Sequence, residues 1–374
     1  MKKTIIFLLI TLVLSLSSTV TASASEYMNI EDIETDIKDE LKSIIDDDTL
    51  DILGDFGLNN FDFADVYNLS FKNISEFFSE TLKEKIKSSF KLFFELLSVV
   101  LISGAVTSLF RSRSEGNFIN FLSVIIIILL SVSGISSTLS ATVSVLQLSG
   151  KFMLSFVPIY TLIISLSGNA ASALTYNTFV IGFAEFMSAF ITSGFTDLLG
   201  MFFCLSISFS LNSSVNTGRF ISAVNRAVST VLGLTASVFT GFLSIKNILS
   251  ASVDSVSVKG IRFLIGSLIP IVGSSISEAY SSLIGSINLI KGSVAVIGIL
   301  VIVIINVPVI FETLSFYISF SMLSFVSDSV NASGVGDVFR CISCGVRILL
   351  LFCVFEMFVL IISTGILLSV KNGG

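Results

Sequence analysis

The sequence predicts an all-α, polytopic transmembrane protein with an N-terminal signal peptide and a small acidic extracytoplasmic helical segment. Three observations carry this. Hydrophobic residues fill 53% of the 374 positions and charged residues only 13%, giving a mean hydropathy of +0.96. Apolar runs recur through the C-terminal three quarters of the chain, and about 20 such residues suffice to cross a bilayer as a helix. Charge is also segregated: from Glu26 to Asp65 there are 14 acids against two bases, Lys38 and Lys42, whereas the remainder is net basic.

The first element, residues 1–24, has the three parts of a signal peptide. Met1-Lys2-Lys3 is a basic start, Ile5 to Leu16 is apolar, and Ala22-Ser23-Ala24 has the small-x-small form that signal peptidase accepts. An uncleaved first membrane helix is the competing reading, but the apolar run falls short of the length a span needs.

Residues 25–70 are polar, acidic and turn-rich, with Asp46-Asp47-Asp48, Gly54, Gly57 and Asn59-Asn60 as breakers. Ile30, Ile33, Ile37, Leu41 and Ile44 keep a helical period. Such a segment is too short and apolar-poor for a sizeable core, so a helical extension is expected. Its acids serve either as a solvated face or in binding a partner.

Residues 71–91 read as an amphipathic juxtamembrane helix: Phe71, Ile74, Phe78, Leu82, Ile86 and Phe90 recur every three or four positions, with Lys83, Lys85, Lys87 and Lys91 between them. The alternative is that these are the N-terminal turns of the first span.

The polytopic domain, 92–370, begins with an apolar stretch from Leu92 to Phe110 that stops at Arg111-Ser112-Arg113. If the signal peptide leaves Ser25 outside, this helix runs inward, and the positive-inside rule places basic residues just after it. Further apolar candidates lie near 118–132, 152–168, 177–195, 197–211, 228–245, 263–287, 293–311, 314–330 and 345–369. That gives seven to ten helices, with the parity, and so the side of the C-terminus, open.

The sequence holds no His, which removes imidazole as base, relay or metal ligand. It holds no G-x-x-x-x-G-K-[ST] phosphate loop and no G-x-S-x-G elbow. No enzyme activity, cofactor, metal or nucleic-acid partner is therefore expected. Cys341 and Cys344 have C-x-x-C spacing, but two cysteines supply half a tetrahedral zinc shell, and packing is the reading adopted.

Candidate conduit or hinge positions come from groups that are costly in lipid. The acids Glu185, Glu278, Glu312 and Glu356 fall in apolar surroundings, where an ionised side chain tends to face a cavity or a partner; the alternative for each is a place at the membrane interface, with Glu312 at a span boundary. Lys291 can reach the headgroups by snorkelling. Pro158, Pro270 and Pro308 fall in apolar stretches, where each removes a backbone hydrogen bond. Pro270 with Gly273 forms a breaker next to Glu278.

Several landmarks occur in one order. They are Phe156-Val157-Pro158-Ile159-Tyr160, then Asp254 and Lys259 leading into Ile269-Pro270-Ile271-Val272-Gly273, then Ser277-Glu278-Ala279, Lys291-Gly292 and Pro308. In this succession, over roughly residues 70 to 370, the chain resembles the stage III sporulation protein AE family of endospore-forming bacteria. The resemblance implies a multi-pass subunit of the mother-cell membrane facing the forespore, in a channel or secretion-like complex that joins the two compartments. It implies as partners the other membrane and ring proteins of the complex, a separate ATPase, a forespore-side partner and the bilayer. It carries no site residues. An independent secondary transporter for a small solute, using the broken helices and acids above, is the alternative.

Overall fold

The structure is a computed structural model that describes residues 30–58, 65–109, 113–211, 217–268, 273–330 and 332–368. The signal peptide, Arg111 and Pro270 lie outside the described residues. Every regular element among them is helical.

The chain divides into two compact units, residues 1–43 and 44–374. In the first, helix α1 (Ile30–Ile44) follows the predicted period, and Lys38 pairs with Glu34 one turn away at 2.7 Å.

The second unit opens with α2 (Asp47–Asp55), whose N-cap Asp46 accepts from the Thr49 N–H at 3.1 Å. A single 3-10 turn (Asp65–Asn68) leads to α3 (Phe71–Leu109). The amphipathic stretch 71–91 and the apolar stretch after it thus form one uninterrupted helix. Then come α4 (Arg113–Leu166), α5 (Ala170–Phe190), a π-helical turn (Ile191–Phe195) and α6 (Thr196–Leu211). The last three helices are α7 (Thr217–Leu268), α8 (Gly273–Ser329) and α9 (Ser333–Leu368).

Among the described residues five helices are long and apolar enough to cross a membrane. Several of the apolar stretches visible in the letters share one helix. Residues 118–132 and 152–168 both fall on α4, and residues 293–311 and 314–330 both fall on α8. The 54 residues of α4 extend roughly 80 Å at ~1.5 Å per residue, well beyond a ~30 Å hydrocarbon layer. Pro158 and Pro308 sit inside continuous helices.

Side-chain pairs fix the directions. Gly134 meets Phe316, Ser149 meets Asn306 and Phe156 meets Gly298, so α8 runs antiparallel to α4. Phe320 against Phe339 and Ser324 against Gly336 make α9 antiparallel to α8. Phe78 against Phe311 and Gly104 against Val330 make α3 parallel to α8. At the crossing of these helices Leu96 and Val100, Val124 and Ile127, Phe316 and Phe320, and Val338 and Phe339 form a core of buried side chains. Small residues allow the close approaches that membrane helices use. A side chain at Gly298 would strike the ring of Phe156, and one at Gly345 the ring of Phe203.

The π turn joins α5 and α6 into one rod that descends beside α9: Phe183 lies against Phe355, Phe195 against Phe352, and the Cys341 thiol reaches the Ser206 carbonyl at 3.6 Å. Helix α7 returns antiparallel to this rod, with Phe220 stacked on Phe202 and Phe242 against Phe179.

Candidate functional site

The polar groups inside the second unit gather where α4, α8, α9 and α5 meet. On α4, Ser131, Thr138, Thr142 and Ser149 are fully buried, and their spacing of seven, four and seven residues puts them on one helical face. Ser and Thr can satisfy a hydroxyl on their own helix, as Thr138 does on the Gly134 carbonyl at 2.8 Å. The buried Ser131 and Thr142 hydroxyls, in contrast, make no such bond on their own helix.

Asn306 of α8 crosses to this face. Its Nδ2 donates to Ser149 Oγ at 2.8 Å and to the Ile302 carbonyl of its own helix at 2.8 Å, while Oδ1 is buried with no partner among the described residues. From α9, Cys353 is fully buried beside Thr142 and Glu356. Glu356 is 1% exposed, and its Oε2 has no hydrogen-bond partner among the described residues. A carboxyl at such a place is costly and points to function more than to stability.

Further along α4 the face turns aromatic. Phe152, Phe156 and Tyr160 stack in sequence, and Tyr160 meets Tyr176 of α5 edge-on at 5.5 Å. Tyr176 Oη and Thr364 Oγ1 of α9 lie 3.5 Å apart, whereas the buried Tyr160 hydroxyl has no partner among the described residues. Lys291 is 4% exposed, so its ammonium is enclosed in the unit instead of snorkelling outward.

The α4–α5 turn closes one end of this interior. Gly168, with φ of 85°, adopts the left-handed conformation that ends α4, and Asn169 N–H reaches the Ile164 carbonyl at 3.1 Å. The Asn169 side chain bonds back to Ser167, leaving the first N–H groups of α5 uncapped by their own segment. Asp254 of α7 supplies the cap: its two oxygens accept from the Ala171 and Ser172 N–H groups at 2.8 and 3.0 Å.

The positions singled out from sequence do not converge on one point. Pro158 is exposed on α4, Glu185 is exposed on α5, and Pro308 is half-buried two residues from Asn306. Gly273 begins α8, and the backbone of Glu278 lies in its first turns. Glu312 pairs with Lys85 of α3 at 3.7 Å. Of the three acids whose side chains are described, Glu185, Glu312 and Glu356, it is Glu356 that lies among the buried polar groups. Asn306 is not conspicuous in the letters because a lone amide in an apolar run looks like any other interruption; the signal was its place two residues before Pro308, on the helix that also carries Lys291. Cys341 and Cys344 are buried against neighbouring helices.

A family model described as stage III sporulation protein AE matches residues 60–370. The stage III sporulation protein AE of Bacillus subtilis (strain 168) is 18% identical over 217 residues, covering 58% of this chain and 54% of that protein. The chain thus spans about half the length of the curated relative it matches. No solved structure matches it.

Proposed function

Because the chain belongs to the stage III sporulation protein AE family, we propose that it is a membrane subunit of a channel or secretion-like complex between mother cell and forespore. It serves there as export gate or assembly platform. One observation carries the reading: the family match covers the whole helical body, from α3 to the end of α9, so the shared function resides in the multi-helix body. Three of the helices apolar enough to span a bilayer, α4, α8 and α9, carry a buried polar strip of hydroxyls, an amide and a carboxyl, a composition suited to a regulated path or to binding a partner helix. In this reading the body lies in the mother-cell membrane, the acidic segment faces the space toward the forespore, and a separate ATPase, ring proteins and a forespore-side partner complete the assembly.

Deleting the gene in its own host is expected to arrest spore development after engulfment, and tagged protein from sporulating cells is expected to co-purify with an ATPase and ring proteins. Normal spores from the deletion strain would end the reading. A second reading, an independent secondary transporter, is favoured by the buried Glu356 carboxyl beside Thr142 and Cys353. Purified protein alone in liposomes separates the two: solute uptake that disappears in Glu356→Gln supports the transporter, and inactivity without partners supports the subunit.

A further inference from the structure

A second polar site lies outside the interior strip, between α7, α8 and α9. It is a pocket of about 140 Å³, close to the liquid volume of five waters, with Arg340, Arg347 and Ser343 on α9, Tyr317 and Ser321 on α8, and Asn225 on α7. Arg340 and Arg347 are seven residues apart, so both project from the same face of α9.

The two arginines are in different states. Arg340 Nη2 donates to both oxygens of Asp328 at 2.8 and 2.7 Å, and Nη1 donates to Asp337 at 2.6 Å. Its charge is matched and its head is held as part of the wall. Gly336 makes room for this, because a side chain there would strike the Asp328 carboxylate. Arg347 has no carboxylate within ion-pair distance among the described residues, yet it immediately precedes the apolar run that starts at Ile348. Arg347 is exposed there, open to an anion supplied from outside the chain.

The rest of the wall suits an anion. The hydroxyls of Tyr317, Ser321 and Ser343 can donate, while the Asn225 side chain is hydrogen-bonded to Cys344 in the pocket wall. On the adjoining face of α7, Arg219 and Arg226 line a neighbouring groove. Four arginines against Asp328 and Asp337 leave this end of the helices positive, as expected of the headgroup level on the cytoplasmic side.

We propose that this pocket binds a phosphate ester, with Arg347 as its charged contact and the headgroup of an anionic lipid as its source. The guanidinium fork meets two phosphate oxygens, and the hydroxyls of α8 and α9 meet the others. The site would seat α7 and α9 against one leaflet. The inference rests on α9 as a membrane-spanning helix and is independent of the complex in which the chain works.

The test uses the full chain purified in detergent, stripped of lipid and titrated with phosphatidylglycerol, phosphatidylcholine or inorganic phosphate, with bound lipid counted by native mass spectrometry. One phosphatidylglycerol is expected to bind in preference to phosphatidylcholine. Arg347→Gln should weaken it about tenfold or more, the loss of one charge-assisted contact, whereas Lys151→Gln, which removes the same charge from an exposed position on α4, should not. Displacement by millimolar inorganic phosphate would support the same site with free phosphate as its source. Equal binding of the two lipids, equal binding by Arg347→Gln and the parent, or equal losses in both variants would overturn the proposal. If Arg347→Gln does not fold, Ser343→Leu, which fills the pocket and keeps both arginines, must lose the lipid for the proposal to stand.

Discussion

Asp254 and Ala171, 83 residues apart in the chain, are joined by a 2.8 Å hydrogen bond from the Ala171 N–H to the Asp254 carboxylate, whose other oxygen takes the Ser172 N–H at 3.0 Å. A helix that cannot cap itself is capped by a neighbour. The negative charge also lies at the positive end of the α5 dipole, which adds to the bond.

Replacing Asp254 by Ala strands two donor groups at a largely buried helix end, at a cost of about 1–3 kcal/mol. Asp254→Asn keeps one acceptor and should fall between the two. Thermal unfolding of the three purified proteins in one detergent checks the order; an Ala variant as stable as the parent would refute the cap's importance.

Gly298 is pressed against the Phe156 ring, which is fully buried between Phe152 and Tyr160. Gly298→Val should destabilise the α4–α8 contact by about 1–3 kcal/mol through overpacking. Adding Phe156→Ala should recover part of that loss, since the two positions share one space. Unchanged stability in Gly298→Val is the outcome that contradicts the packing.

The Asn306 to Ser149 bond links α8 to α4 inside the apolar body. Interhelical bonds of this kind contribute about 0.6 kcal/mol on average, with maxima near 2. A double-mutant cycle with Asn306→Leu and Ser149→Ala should give a coupling in that range. Strict additivity would mean that the bond is not made in the membrane.

Glu356→Gln keeps the shape and hydrogen-bonding capacity of the buried side chain and removes its ability to ionise. The protein should accumulate at parental levels while heat-resistant spores decline, if the polar interior is used as proposed. Spore counts and immunoblots from the same culture decide it; parental counts with parental levels would remove Glu356 from the mechanism.

Gly104 packs against Val330, so the C-terminal end of α3 and the α8–α9 turn lie at the same end of the unit. Cysteines introduced at the exposed positions Ser108 and Ser329 should therefore be labelled by an impermeant thiol reagent from the same side of the membrane, once the four native cysteines are replaced. With Arg219, Arg340 and Arg347 also at that end, the side expected is the cytoplasmic one.

Composition and periodicity determined that this chain is helical and apolar, where α1 and α3 begin, and that Glu356 and the prolines stand out chemically. Those features are local: a run of apolar residues, a period of 3.6, a charge in the wrong solvent. The letters could not say that α4 continues through Pro158, because a proline removes one hydrogen bond and leaves the outcome to the packing around it. Nor could they say that Asp254 serves α5, that Glu356 faces the interior while Glu185 faces out, or that Arg340 is matched by Asp328 while Arg347 is not. Each of these depends on which helix lies beside which. That is set by side chains distant in sequence, where glycines such as Gly298 and Gly345 let particular helix pairs close and hydroxyl stripes such as that of α4 find their partners.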